Sequence, residues 1–222
     1  MKKFYNLTII LLILIIIIFF ANVYKKYYIL TKFNESLETY KSSKNLYFSF
    51  QLKNNLFHIN EYYSYNNKRA ILLSFAGKTL PGSVKYSDST GKYEINYTSG
   101  SIKKLSDDYI VSAMVSIPPE VDFSNKNTRI NLAFSFNTKI SSSEYNGKSC
   151  YAVTLLEYNE LDTTSSYTVY LTKDTYTPVY TNWDGTEIEY DIRLNTVTEE
   201  DLNFPTTEEE LKEIINKDTT NK

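Results

Sequence analysis

From Phe4 to Tyr24 the chain carries no charged residue, and Ile9 to Phe20 is apolar without a break. In hydrocarbon every backbone amide and carbonyl must find its partner inside the protein, so a lone run of this kind has one stable fold, a helix. About 20 such residues cross a bilayer core. Lys2 and Lys3 precede the run, and Lys25 and Lys26 follow it. A cleaved signal peptide has an apolar core of about 7–15 residues that ends in a small-x-small site. Here Phe19-Phe20-Ala21-Asn22 sets Phe20 directly before the one small residue. No cysteine follows the run, which removes lipidation of the bacterial lipoprotein kind. Residues 1–26 are therefore read as an uncleaved signal anchor. A long C-terminal part translocates largely regardless of flanking charge. The expected location is the cell membrane, single-pass, with residues beyond about 26 extracytoplasmic.

Charge limits what that outer part can bind. Of the 24 basic residues, four lie in the first 26, which hold no acid; the remaining 20 face 26 acids, a balance of −6. An acidic domain lacks the footprint of a nucleic-acid binder. The single cysteine, Cys150, allows no intrachain disulfide, so an apolar core must hold the domain together.

Residues 27–43 place Leu30, Phe33, Leu37 and Tyr40 at spacings of three and four, the mark of a helix with one apolar face. Strands follow. Residues 46–53 alternate Leu46, Phe48, Phe50 and Leu52 against Tyr47, Ser49 and Gln51. Strands are also expected at 56–65, 68–76, 84–87, 92–98, 129–138, 148–158, 166–173 and 187–195. In the last of these Ile188, Tyr190, Ile192 and Leu194 oppose Glu187, Glu189, Asp191 and Arg193. Period-2 alternation means one wet and one apolar face. Fifteen percent of residues are aromatic, 21 of them tyrosine, a composition that favours pleated surfaces. Asn146-Gly147 and Asp184-Gly185 are hairpin signals, because a type I′ turn needs positive φ at both positions. Thr207 and Glu210 have the spacing of a capping box that opens a short terminal helix running to about residue 216. The fold class read from this pattern is mainly β: a curled antiparallel sheet of about nine to eleven strands, a helix near each end, and one transmembrane helix before it. Its parts are an anchor over 1–26, a β domain over 27–205, and a C-terminal helix and tail over 206–222.

Candidates for chemistry are few. The lone histidine, His58, lies in a strand pattern with no nucleophile elbow at any serine, so it reads as a strand residue. One His and one Cys are too few for the usual zinc sets. No phosphate-binding glycine motif is present. Glu187, Glu189 and the Glu199-Glu200-Asp201 cluster read as a solvated acidic edge. Cys150, inside a strand, reads as a small buried residue. The expectation is a protein that is not an enzyme, with no catalytic residue, metal or cofactor. The remaining candidate is the apolar sheet face, where Phe48, Phe50, Leu132, Phe134, Phe136, Tyr151, Val153 and Leu155 either line a cavity or form the core.

The stretch Asn146-Gly147-Lys148-Ser149-Cys150-Tyr151-Ala152-Val153, residues 174–179, Trp183-Asp184-Gly185, Glu189-Tyr190-Asp191 and Asn195-Thr196-Val197-Thr198-Glu199-Glu200-Asp201, closed by Pro205, resemble the lipoprotein-carrier superfamily of LolA-like half-barrels. Residues 37–50 fit the helix-then-strand opening of that family, so the likeness in plan covers roughly residues 30–205. The resemblance implies an incomplete barrel with a helical lid and an apolar cavity for acyl chains or a protein segment, and no catalytic residues. This chain departs from it in keeping an anchor, and a tethered domain does not shuttle. It is also similar in plan to the germination lipoproteins of spore-forming clostridia, protein partners of a peptidoglycan amidase, though it has no lipobox. Two functions are therefore expected: a membrane-anchored binding module for a lipid, lipidated protein or apolar segment, or a protein-interaction subunit that regulates a cell-envelope enzyme.

Overall fold

The computed structural model describes residues 2–53, 59–75, 78–111, 121–158 and 164–220. His58 falls outside them. Three α-helices, α1 (Lys2–Ser42), α2 (Lys126–Phe134) and α3 (Glu208–Thr220), are joined by a 3₁₀ turn at Glu200–Leu202 and by eleven strands among the described residues. The strands are β1 (Asn45–Leu52), β2 (Ile59–Tyr65), β3 (Lys68–Ser74), β4 (Ser83–Ser87), β5 (Lys92–Asn96), β6 (Ser101–Lys104), β7 (Thr138–Tyr145), β8 (Lys148–Tyr158), β9 (Thr164–Thr172), β10 (Pro178–Trp183) and β11 (Thr186–Leu194). The mainly β, antiparallel class with a helix near each end, expected from the sequence, is what the chain adopts. It divides into two compact units: Met1–Glu38 with Pro118–Thr177, and Thr39–Ile117 with Pro178–Lys222.

In the first unit α1 passes the sequence boundary at residue 26 without interruption, so the apolar run and the amphipathic segment are one helix. No Gly or Pro lies within it to break the hydrogen-bond ladder. Its side chains from Leu7 to Phe20 are all exposed. From Val23 onward one stripe is buried, through Lys26, Ile29, Leu30 and Phe33. Phe33 meets Phe123 edge-on at 5.2 Å, and farther toward the N-terminus Phe19 meets Phe134 at 6.3 Å. The segment holding α2 therefore runs antiparallel along α1. The Lys26 ammonium donates to the Ser135 carbonyl at 3.0 Å, placing a cation at the negative end of α2.

Helix α2 overturns the strand expected at 129–138. The alternation of Ile130, Leu132, Phe134 and Phe136 is present, but other forces win. Asn125 caps the helix, its side-chain oxygen accepting from the Asn127 amide at 2.8 Å. Arg129 donates to the Phe123 and Ser124 carbonyls at the start of the helix. The buried residues are Arg129 and Ala133, four apart, which is a helical spacing. The rest of this unit is a β7–β8–β9 meander. Its first turn is of the expected kind, with Asn146 at φ 48° and Gly147 at 75°.

The second unit pairs its strands in the order β6-β5-β4-β3-β2-β1-β11-β10, antiparallel at each step given by the register. Asp184 and Gly185 turn β10 into β11 at φ 46° and 86°. One sheet face carries Tyr47, Ala70, Val84, Tyr86 and Ile95, and the C-terminal segment closes it with Val197, Leu202 and Leu211. Helix α3 begins where the capping box was expected. Thr207 Oγ1 accepts from the Glu210 amide at 3.2 Å, while Glu210 Oε2 accepts from the Thr206 and Thr207 amides at 2.9 and 3.4 Å.

Candidate functional site

The register of the second unit assembles a site on the face opposite that core. Phe48 pairs with Tyr62, Tyr62 with Ile71, Ile71 with Lys85, and Lys85 with Glu94. The next row runs Phe50, Asn60, Leu73 and Ser83. Because side chains two apart share a face, these two rows form one surface across five strands. Tyr109 and Ile110 border it, and together they enclose an open groove of about 480 Å³.

The groove is graded. At the β1–β3 end its lining is mostly apolar, from Phe48, Phe50, Tyr62, Ile71 and Leu73, with Asn60 and Glu61 of β2 among them. At the β4–β5 end it carries Lys85 and Glu94. The Lys85 ammonium lies 5.3 Å from the centre of the Tyr109 ring. A hydrogen bond with Tyr109 holds the lysine above its usual range; the charge of Glu94 adds to this and burial opposes it. Behind Phe48 and Phe50 the rings continue to Tyr190, 6.1 Å from Phe48, whose hydroxyl lies 3.2 Å from that of Thr181. Burial pushes the Tyr190 phenol up to about 12.

The eight residues singled out from sequence divide between the two units. Phe48 and Phe50 line the groove. Val153 and Leu155 are buried side chains of β8, and Tyr151 stacks on Tyr176 at 6.0 Å. Leu132 and Phe134 belong to α2, and Phe136 follows it, with Phe134 and Phe136 exposed. The groove residues that sequence reading passed over are Asn60, Glu61, Tyr62, Ile71, Leu73, Ser83, Lys85, Glu94, Tyr109 and Ile110. Strands β2 to β5, which carry all of these but Tyr109 and Ile110, were legible, but which residues stand opposite one another depends on register.

The other candidates have local roles. Cys150 is fully buried, its thiol donates to the Lys148 carbonyl at 3.3 Å, and burial raises its pKa. Glu199 pairs with Lys68 at 2.7 Å, and Asp201 accepts from the Thr198 amide at 2.8 Å. Glu187 lies 3.5 Å from Lys53. Among the described residues no three His, Cys, Asp or Glu side chains gather as a metal site.

No protein-family model matches the sequence, and no curated protein is significantly similar to it. Among solved structures, a chain of the MucA–MucB complex of Pseudomonas aeruginosa aligns at TM-score 0.44 and 11% identity, over 79% of this chain and 61% of that one. A putative outer-membrane lipoprotein-sorting protein domain from Vibrio parahaemolyticus aligns at 0.29 and 12%, over 87% and 99%. A LolA superfamily protein from Nitrosomonas europaea aligns at 0.26 and 8%, over 77% and 95%. This chain is similar to LolA-like structures. It spans about three fifths of the length of the first of them.

Proposed function

We propose that this protein is a non-enzymatic binding module, tethered to the cell membrane by α1 with the rest of the chain extracytoplasmic, and that the groove of the second unit takes an apolar chain with a polar end. The observation that carries this reading is the graded groove itself. One apolar core cluster of the unit lies on the opposite face, under Leu202 and Leu211, while on the groove face Phe50, Ile71 and Leu73 are half-buried beside open space. Half-buried apolar side chains along a groove gain by covering, at about 25 cal/mol per Å² removed from water. Lys85 and Glu94 at the far end match the polar end of an amphiphile. A lipid, a lipidated protein or the apolar segment of a partner shares this chemistry. Helix α1 supports the tether: it is long and apolar enough to cross a bilayer, and it lies at the N-terminus.

The test uses the full chain in lipid nanodiscs with a fatty acid bearing a photoactivatable diazirine. Label is expected on peptides holding Phe48 and Phe50 and on those holding Ile71 and Leu73, lost when Phe50 and Leu73 are both changed to serine in a chain with unchanged circular dichroism. Label confined to α1 and its neighbours would reject an acyl ligand. A protein captured through the same groove residues, without acyl labelling, would move the assignment to the regulatory subunit of an envelope enzyme.

A further inference from the structure

We infer that Phe134, the last residue of α2, and Phe136, just after it, form a second membrane contact, inserted into the boundary between headgroups and acyl chains beside α1. The inference rests on the reading of α1 as membrane-spanning. Phe19, the ring that meets Phe134 at 6.3 Å, lies five residues inside the end of the uncharged run at Tyr24. At 1.5 Å per residue that is about 7–8 Å below the end of the run. Amphipathic segments at membrane interfaces sit about 5–10 Å into the same boundary. The antiparallel course of α2 along α1 directs its C-terminal end toward the apolar run, so Phe134 is held at the depth of Phe19 by contact within one unit.

Exposure agrees with this. Phe134 is 48% exposed and Phe136, two residues on, 85%. Phe19 and Phe20 are exposed as well, so an aromatic patch from two elements is continuous with the surface that α1 offers to lipid. A second apolar recess of about 400 Å³ lies along this seam, lined by Phe20, Val23, Tyr24, Ile130 and Phe134, with Lys126 at its edge. Lys25 and Lys126 are exposed there, and Lys26 reaches the Ser135 carbonyl beside the patch. Cations and tyrosines above phenylalanines are the order in which side chains meet a membrane interface. The occupant that fits is the bilayer carrying α1 itself.

The experiment places one tryptophan in the full chain, in a Trp183→Phe background, reconstituted in phosphatidylcholine–phosphatidylglycerol vesicles. Phe136→Trp reports the tip, and Leu14→Trp reports α1. Lipids brominated near the headgroup end or near the methyl end of the acyl chain act as quenchers. The expected result is a blue-shifted emission at position 136, quenched more by the shallow bromines, and quenching at position 14 by the deep ones. Quenching at 14 with none at 136 overturns the tip contact and leaves the anchor standing. Quenching at neither position overturns both.

Discussion

At the scale of single residues the tyrosines of the second unit hold the clearest consequence. Burial keeps the Tyr190 phenol protonated up to about 12, whereas the same group in an unfolded chain ionises near 10. The folded state thus retains a proton that the unfolded state loses. This contribution to stability is whole below about pH 10 and is lost as pH rises through about 12. Between about pH 9 and about pH 11 it amounts to about 1.4 kcal/mol. Tyr47, Tyr63, Tyr86 and Tyr97 are shifted upward too, desolvation being the largest cause for each. Tyr190→Phe is therefore expected to flatten the alkaline fall in stability without abolishing it, as read from urea midpoints at the two pH values. The same slope in variant and parent would show that Tyr190 ionises freely in the fold.

At the scale of elements, α3 is held by its cap and by its fully buried Leu211, with Ile215 packed beside it. Thr207→Ala removes the cap on the Glu210 amide and is expected to cost about 1 kcal/mol. Leu211→Ala empties a fully buried site and is expected to cost about 2–5 kcal/mol. Urea unfolding of both variants checks the ranking; equal midpoints would mean that α3 is dispensable to the sheet beneath it. This is also where sequence reading succeeded and failed. The Thr207–Glu210 box, the Asn146-Gly147 turn and the strict alternation of β11 were legible because each is local chemistry. Strands β6, β7 and β10 were not read. Strand β7, Thr-Lys-Ile-Ser-Ser-Ser-Glu-Tyr, shows almost no apolar alternation and exists by pairing with β8. Helix α2 was misread because its apolar residues happen to alternate, while the deciding signals were the Asn125 cap and the contacts of Arg129 and Ala133. The groove was visible in part: Phe48 and Phe50 by periodicity, but the row from Tyr62 to Glu94 only through the register of three strand pairings.

At the scale of the whole molecule, the unbroken course of α1 ties the depth of the apolar run to the orientation of the first unit. Each residue of the helix rotates the next by about 100° and advances it about 1.5 Å. Inserting one alanine after Asn22 would therefore swing Phe134 off the side that Phe19 occupies. In vesicles, the Phe136→Trp emission of that variant is expected to lose its shallow quenching while quenching at Leu14→Trp persists. Persistent shallow quenching would mean that a bend absorbs the added residue. Exchanging one apolar residue for another between Leu7 and Ile18 should leave this geometry untouched, since those exposed side chains lie outside the seam that Phe19 and Phe20 form with Phe134. Over evolutionary drift, then, this helix is free in its spelling and fixed in its letter count: it tolerates almost any apolar substitution along its exposed part, while a single insertion or deletion shifts the phase of everything it carries.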